Sequence, residues 1–278
     1  MKKYLIAAFA FILTISVVLA LNPHNIQEVV VDNSRNDVVI TIPQKAVEVS
    51  PGIFKIGEFV DSNGRLIEGF AVLDYKKAGA KPDGAGGGKG KNTATSCYAF
   101  LSKGMNWKSI EPYFVDTFNN AGLNSSSISS ILNSSILEWE NAANRDIFGN
   151  EAVGAVEPAS IGNSANGKNE VIFAPISEPG VIAVTYVWGY YSGPPSQREI
   201  VEWDQVYNDY DFQWSLAGET SKMDFENIAQ HELGHSFGLG HPDDSCAEET
   251  MYRYASLGET MKRDLNAGDI EGIKALYK

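Results

Sequence analysis

From Gln27 to Tyr75 apolar and polar residues alternate in short β-branched runs, among them Val38 to Ile42, Ile53 to Val60 and Leu66 to Leu73. A period of two places successive side chains on opposite faces, so each run predicts a strand. Asp61-Ser62-Asn63-Gly64 separates the last two, and Asn63-Gly64 suits a type I′ hairpin turn. The pattern then stops. Ala78 to Ser96 holds six glycines, Pro82, and Lys81, Lys89 and Lys91. Such a stretch buries too little apolar surface to offset its ordering entropy, and it reads as a linker open to proteolysis.

Beyond it, Tyr113 to Phe118 reads as a strand. Asn124 stands at an N-cap position ahead of Ile128, Ile131, Leu132, Ile136, Trp139 and Ala142, whose spacing predicts an amphipathic helix. Val171 to Phe173 and Val181 to Trp188 suit strands, and Gly189 to Gln197, with Pro194-Pro195, predicts a loop. Asp224 to Phe237 reads as a second helix, with Ser221 and Asp224 at capping-box spacing. A strand, a helix and then further strands predict a mixed α/β layer.

At the N-terminus, Lys2 and Lys3 precede an apolar run from Leu5 to Ala20 that closes on Val18-Leu19-Ala20. Residues 1–20 read as a secretory signal peptide. The alternative is an uncleaved anchor, since Tyr4 to Leu21 is about long enough to cross a bilayer. Either places the rest outside the cytoplasm, secreted or at the cell surface. Residues 21–77 are then a β-rich segment, either a pro-region removed by cleavage in the 78–96 linker or an accessory module that stays attached. A hydrophobic fraction of 44% and a charged fraction of 21% are ordinary for a folded protein. With 22 Lys and Arg against 35 Asp and Glu, the net charge of −13 argues against a nucleic-acid partner. Cys97 and Cys246 in an exported chain are most simply one disulfide; the rival is Cys97 as a thiolate metal ligand. Asn124-Ser125-Ser126 and Asn133-Ser134-Ser135 fit the N-glycosylation acceptor pattern, which a Ser-rich stretch generates readily.

The chemistry is concentrated in His231-Glu232-Leu233-Gly234-His235 on the second predicted helix. Four residues advance a helix by about 6 Å and slightly more than one turn, so His231 and His235 project side by side and can share one zinc ion. Glu232 is rotated off that line and lies beside the ion, placed to take a proton from water there. Gly238 suits the left-handed conformation that ends a helix, and His241 follows six residues after His235 as a third ligand. Three neutral imidazoles leave a fourth position open, as in catalytic zinc sites.

The string HELGHSFGLGH resembles the zinc signature of the metzincin metalloproteases, and Glu249-Thr250-Met251-Tyr252 resembles their Met-turn, with Met251 as an apolar floor under the ligands. The closing segment from Leu265 to Tyr277 is similar to the C-terminal helix of the matrixin branch, in which an acidic residue, here Asp269, hydrogen-bonds near the Met-turn. Trp107-Lys108, Trp139 and the acidic, aromatic stretch from Tyr207 to Trp214 extend the likeness weakly upstream, so that it covers about residues 97–278. A Cys-Tyr pair opening this region and a second Cys before the Met-turn make it similar to exported archaeal matrixin-type proteins.

The resemblance implies an α/β (α+β) metzincin-like fold: a twisted mixed sheet with a zinc helix, Met-turn and C-terminal helix, preceded by the small β-rich segment. It implies an exported zinc endopeptidase with one catalytic zinc and a protein or peptide substrate; calcium is a further candidate, to which Asp204, Asp209 and Asp211 would contribute, the other reading of those acids being a solvated strand edge, and the chain is expected to be a monomer. Val181 to Trp188 resembles the edge strand against which family substrates lie antiparallel, with the Tyr190 to Pro195 loop bordering the cleft. The matrixin cysteine switch is absent, Pro242 follows the third His, no further His supplies a structural zinc site, and Arg253 stands where a Tyr ligand occurs in other metzincins. Two other readings remain: an extracellular adhesion or envelope module that keeps the metal site without turnover, and a structural zinc, which needs a fourth protein ligand.

Overall fold

A computed structural model describes residues 38–77, 96–158 and 161–278. The signal or anchor segment and the 78–95 stretch of the linker lie outside the described residues. Among those described, no helix is long and apolar enough to cross a membrane.

The chain opens with β1 (Val47–Ser50), β2 (Ile53–Val60) and β3 (Leu66–Lys76), an antiparallel meander. Its 61–64 turn differs from the expected type I′. Only Gly64 takes a positive φ, of 79°, while the Asp61 carboxylate accepts from the N–H groups of Asn63 and Arg65 and holds Asn63 on the ordinary side. With Gly64 N–H donating to Asp61 O, this is a type I turn followed by a left-handed glycine. The expected strand at Val38 to Ile42 is reduced to one bridge, Ile40 to Ile176.

Then come β4 (Ala99–Phe100), β5 (Glu111–Val115), α1 (Ser125–Ala143), β6 (Phe148–Val153), β7 (Asn169–Phe173), β8 (Val181–Tyr190) and β9 (Glu199–Tyr207). Short strands β10 (Trp214–Ser215) and β11 (Met223–Asp224) lead into α2 (Phe225–Ser236). Finally β12 (Leu239–Gly240), β13 (Tyr254–Ala255) and α3 (Ala267–Leu276) complete the chain. The principal sheet runs β1-β2-β3-β8-β9-β7-β5-β6, with β13 pairing on β3. Strands β5, β6, β7 and β9 are parallel, and β8 is antiparallel to β9. The mixed α/β class read from the sequence is the class observed. Strand β8 is not an edge: β3 lies antiparallel along it, from Glu68 opposite Gly189 to Tyr75 opposite Val181.

Helix α1 begins where Asn124 caps it, its side chain accepting from Ser126 N–H, and ends on Asn144 in the left-handed region. Its Ile128, Leu132, Ile136 and Trp139 join Trp107, Phe148, Trp203, Phe237 and Ile273 in the core between the helices and the sheet. On β8, Ala183 and Val187 point into that core, while Val184 and Tyr186 face a second cluster with Ala71 and Leu73 of β3. The alternation follows from the period of a strand and also fixes which face of β3 looks toward α2. Asp74, directly opposite Ala183, is on the helix side.

Candidate metal centre

Asp224 is itself the N-cap of α2, its carboxylate accepting from Asn227 N–H, and Arg263 Nε donates to the same oxygen at 2.8 Å. The cap therefore lies three residues beyond the Ser221 position of the expected capping box. Two tryptophans fix the helix in place: Trp139 Nε1 donates to Gln230 O and Trp107 Nε1 to Ser236 O, each at 2.9 Å. The helix reverses at Gly238, whose φ is 105° and where an added Cβ would stand 2.7 Å from Met105 O. Only a residue without a side chain fits both the conformation and the space.

His231, His235 and His241 converge. His235 Nε2 lies 3.1 Å from Nε2 of each of the other two. Ligands about 2.0–2.1 Å from a tetrahedral zinc stand about 3.3 Å from one another, so these separations suit one shared ion. Proton placement agrees. His231 Nδ1 is 2.5 Å from Thr250 O and His235 Nδ1 is 2.9 Å from Leu239 O, so each donates its N–H backward and turns an Nε2 lone pair inward. Burial drives the His231 imidazole down to about 3 and lowers that of His241, so both are neutral near pH 7.

A fourth group completes the cluster. Asp74, at the far end of β3, places Oδ1 2.7 Å from His231 Nε2 and 3.0 Å from His241 Nε2, with Oδ2 3.5 Å from His235 Nε2. The ligand atoms of the four residues all lie within 4.8 Å of one another. With the His231 and His235 lone pairs turned inward, neither of those rings offers an N–H to the Asp74 carboxylate, whose oxygens face the same centre as the three Nε2 atoms. Neutral imidazoles and an ionised carboxylate in one buried cluster call for a positive charge at their centre, which a divalent cation supplies. The side chains present fit a zinc ion.

Glu232 follows His231 and is fully buried; Oε2 accepts from Thr185 Oγ1 of β8 at 2.5 Å, and Oε1 has no hydrogen-bond partner among the described residues. Burial, reinforced by the charge of Asp74, raises its carboxyl well above the ordinary range. Met251 packs under the helix: a Cβ on Gly234 would come 2.1 Å from its Sδ. Asp269, at the start of α3, accepts from Thr250 N–H at 2.7 Å and Met251 N–H at 3.0 Å. Cys97 and Cys246 are joined as a disulfide, which removes Cys97 as a thiolate ligand.

Three contributors had no place in the sequence reading. Asp74 falls one residue beyond the Leu66 to Leu73 run and there resembles an ordinary polar end to a strand. Thr185 is a single hydroxyl in an otherwise apolar run. Lys262 is buried, with Nζ donating to the carbonyls of Tyr252 and Tyr254, and so clamps the segment after Met251. The acids considered for calcium have separate partners. Asp204 accepts from Glu170 N–H, Asp209 from Asn120 N–H, and Asp211 from the Asn208 side chain.

Comparison with known proteins places this geometry in context. Residues 198–278 match the family described as matrixin. The chain is 40% identical over 76 residues to Metalloendoproteinase 2-MMP of Arabidopsis thaliana, covering 25% of this chain and 19% of that protein. It is 40% identical over 76 residues to Metalloendoproteinase 1 of Glycine max, covering 25% of this chain and 24% of that protein. It is 39% identical over 69 residues to Matrilysin of Homo sapiens, covering 25% of each. The alignments span a quarter or less of these relatives. The family match takes in the three histidines, Glu232, Met251 and Asp269, and leaves out Asp74, Cys97 and Thr185.

Proposed function

We propose, from the premise that residues 198–278 are matrixin-like, that the chain is an exported zinc-dependent endopeptidase. The observation that carries this reading is the convergence of three imidazole Nε2 atoms, two of them with their lone pairs turned inward, beside the buried carboxylate of Glu232. His231, His235 and His241 would hold the ion. A zinc ion bound there supplies a Lewis acid that acidifies water and polarises a peptide carbonyl.

The remaining steps belong to the protein. Glu232 Oε1, which has no hydrogen-bond partner among the described residues, takes the proton of the attacking water, while Thr185 holds Oε2 and fixes the carboxylate plane. The same carboxyl then passes the proton to the leaving amine. Its raised affinity for protons suits that return. The disulfide supports an oxidising compartment, and with it the signal reading of residues 1–20. A protein or peptide is the substrate class; β8, the strand expected to pair with it, is covered by β3 in this structure.

The adhesion-module reading would leave the ordered carboxylate of Glu232 without a use. The structural-zinc reading gains a fourth protein oxygen from Asp74, and therefore separates from ours on turnover. In the test, zinc is counted by mass spectrometry and cleavage of an unfolded protein is followed for Asp74→Ala with and without Glu232→Ala. One zinc per chain, with cleavage abolished by Glu232→Ala, is expected. Absence of zinc, absence of cleavage, or cleavage indifferent to Glu232 would overturn the proposal.

A further inference from the structure

His241 differs from the other two histidines in how its ring is held. His231 and His235 each anchor Nδ1 on a backbone carbonyl, of Thr250 and Leu239, whereas Nδ1 of His241 is buried with no hydrogen-bond partner among the described residues. A ligating imidazole ordinarily has such a partner to fix its orientation. His241 also stands beyond the end of α2, so the backbone on either side of it sets the direction of the ring.

That backbone is tied on both sides. Before His241, Leu239 and Gly240 of β12 pair with Phe100 and Ala99 of β4, and Leu101 N–H donates to Gly238 O at 3.0 Å. After it, Asp243, Asp244 and Ser245 are exposed, and their bonds stay local: the Asp243 carboxylate accepts from Ser245 N–H, Asp243 O accepts from Cys246 N–H, and Asp244 pairs with Arg253. The covalent tie of this loop to the rest of the protein is Cys246, buried at 4% exposure and bonded to Cys97, 149 residues away in sequence. Between Cys97 and Ala99, the residue opposite Gly240, stands Tyr98 alone. The disulfide, β4 and β12 therefore close a small ring of chain, and His241 lies within it. The Cys97 end of that ring is packed hard against α3, where a Cβ on Gly268 would come 2.2 Å from Cys97 O.

We propose that the Cys97–Cys246 disulfide is the positioning element for His241, so that the oxidation state of the pair sets how tightly the metal centre holds its ion. The proposal rests on the zinc-peptidase reading above. In the reduced chain the loop after His241 keeps its local bonds alone, and the third ligand has to be ordered as the ion binds, which opposes binding. Oxidation completes the site. A small-molecule disulfide is the oxidant: its S–S bond breaks, the Cys97–Cys246 S–S bond forms, and the two protons and two electrons of the cysteine thiols pass to the two thiols released. The coupling gives a tight metal centre in an oxidising compartment and a weak one in a reducing compartment.

The test asks whether the disulfide acts through His241. Zinc affinity is measured by chelator competition for the full-length wild type, Cys97→Ser/Cys246→Ser, His241→Ala and the variant carrying all three changes. Loss of the disulfide is expected to weaken zinc about tenfold to a hundredfold while His241 is present, the range for removing a group that orients a ligand. In the His241→Ala background the loss is expected to be less than about twofold. No loss, or an equal loss in both backgrounds, would make the bridge a general brace and overturn the proposal. Wild type alone carries the comparison if the variants do not fold or if His241→Ala binds no zinc. Because coupling is reciprocal, zinc must favour the disulfide by the same factor as the disulfide favours zinc. The thiol–disulfide equilibrium of the zinc-saturated and the metal-free chain is read in glutathione buffers by alkylation and mass spectrometry, with a shift of about tenfold to a hundredfold toward the disulfide expected with zinc. No shift, or a shift toward the thiols, would overturn the proposal while leaving the zinc site standing. A wild type that binds no zinc would overturn the peptidase reading itself, and the positioning role that depends on it.

Discussion

Thr185 Oγ1 stands 2.5 Å from Glu232 Oε2, linking β8 to the helix that carries the histidines. The strand expected to pair with substrate therefore also orients the carboxylate expected to move protons. A hydrogen bond to a charged group contributes roughly 1.5–3 kcal/mol. In the Asp74→Ala chain, Thr185→Val is expected to lower kcat about tenfold to a hundredfold with zinc content unchanged. It should also move the acidic limb of the pH–kcat profile upward, because the lost donor favours the ionised carboxylate. An unchanged kcat and profile would mean that Thr185 only packs.

Asp269 satisfies the N–H groups of Thr250 and Met251 and also caps α3 by accepting from Asn266 N–H. Truncation leaves buried donors without partners at roughly 1–3 kcal/mol each. Asp269→Ala should destabilise the fold by about 2–4 kcal/mol and lower Tm by roughly 5–10 °C in a thermal melt. A Tm within 1 °C of wild type would contradict this role, on the same scale of about 2–4 °C for each kcal/mol.

Gly234 tests packing against propensity. In an open helix Gly→Ala gains roughly 1 kcal/mol. Here the new Cβ would meet Met251 Sδ at 2.1 Å and Trp139 Cζ2 at 2.9 Å, so the contact outweighs the gain. Gly234→Ala should lower stability in denaturant unfolding, and an increase would show that Met251 moves aside freely.

Glu202 lies buried on β9, its carboxylate accepting from Asn166 N–H at 2.9 Å and from Gly167 N–H. Burial is the larger influence and pushes it up to about 7. A carboxyl raised above its unfolded value contributes stability below about pH 4.5, and that contribution is lost as pH rises through about 7. Glu202→Gln should therefore flatten the decline of stability between about pH 5 and 8, by up to ~3 kcal/mol at the alkaline end. Parallel curves for variant and wild type would remove Glu202 as the cause.

The sequence carried the helices and the histidine cluster because both follow a strict period: α1 and α2 lie within a residue or two of their apolar patterns, and HELGHSFGLGH is contiguous. Strand β9 escaped notice since Glu202, Asp204 and Gln205, all buried, interrupt its apolar run with residues that look solvent-facing. Asp74 was illegible for a different reason. Its partners lie far along the chain, and no local pattern distinguishes a carboxylate that ends a strand from one that enters a metal centre. Likewise, β8 carries no mark that another strand of the same chain covers it, because pairing partners are set by tertiary contact and not by the strand itself.

The central claim is hydrolysis of peptide bonds through Glu232. The most direct measurement is mass spectrometry of a denatured protein incubated with the zinc-loaded Asp74→Ala chain, in parallel with Asp74→Ala/Glu232→Ala. We expect internal cleavage products, each pair together one water heavier than the parent, from the first, and none above background from the second at equal zinc content. Equal product formation by both, or none from either, would contradict the account.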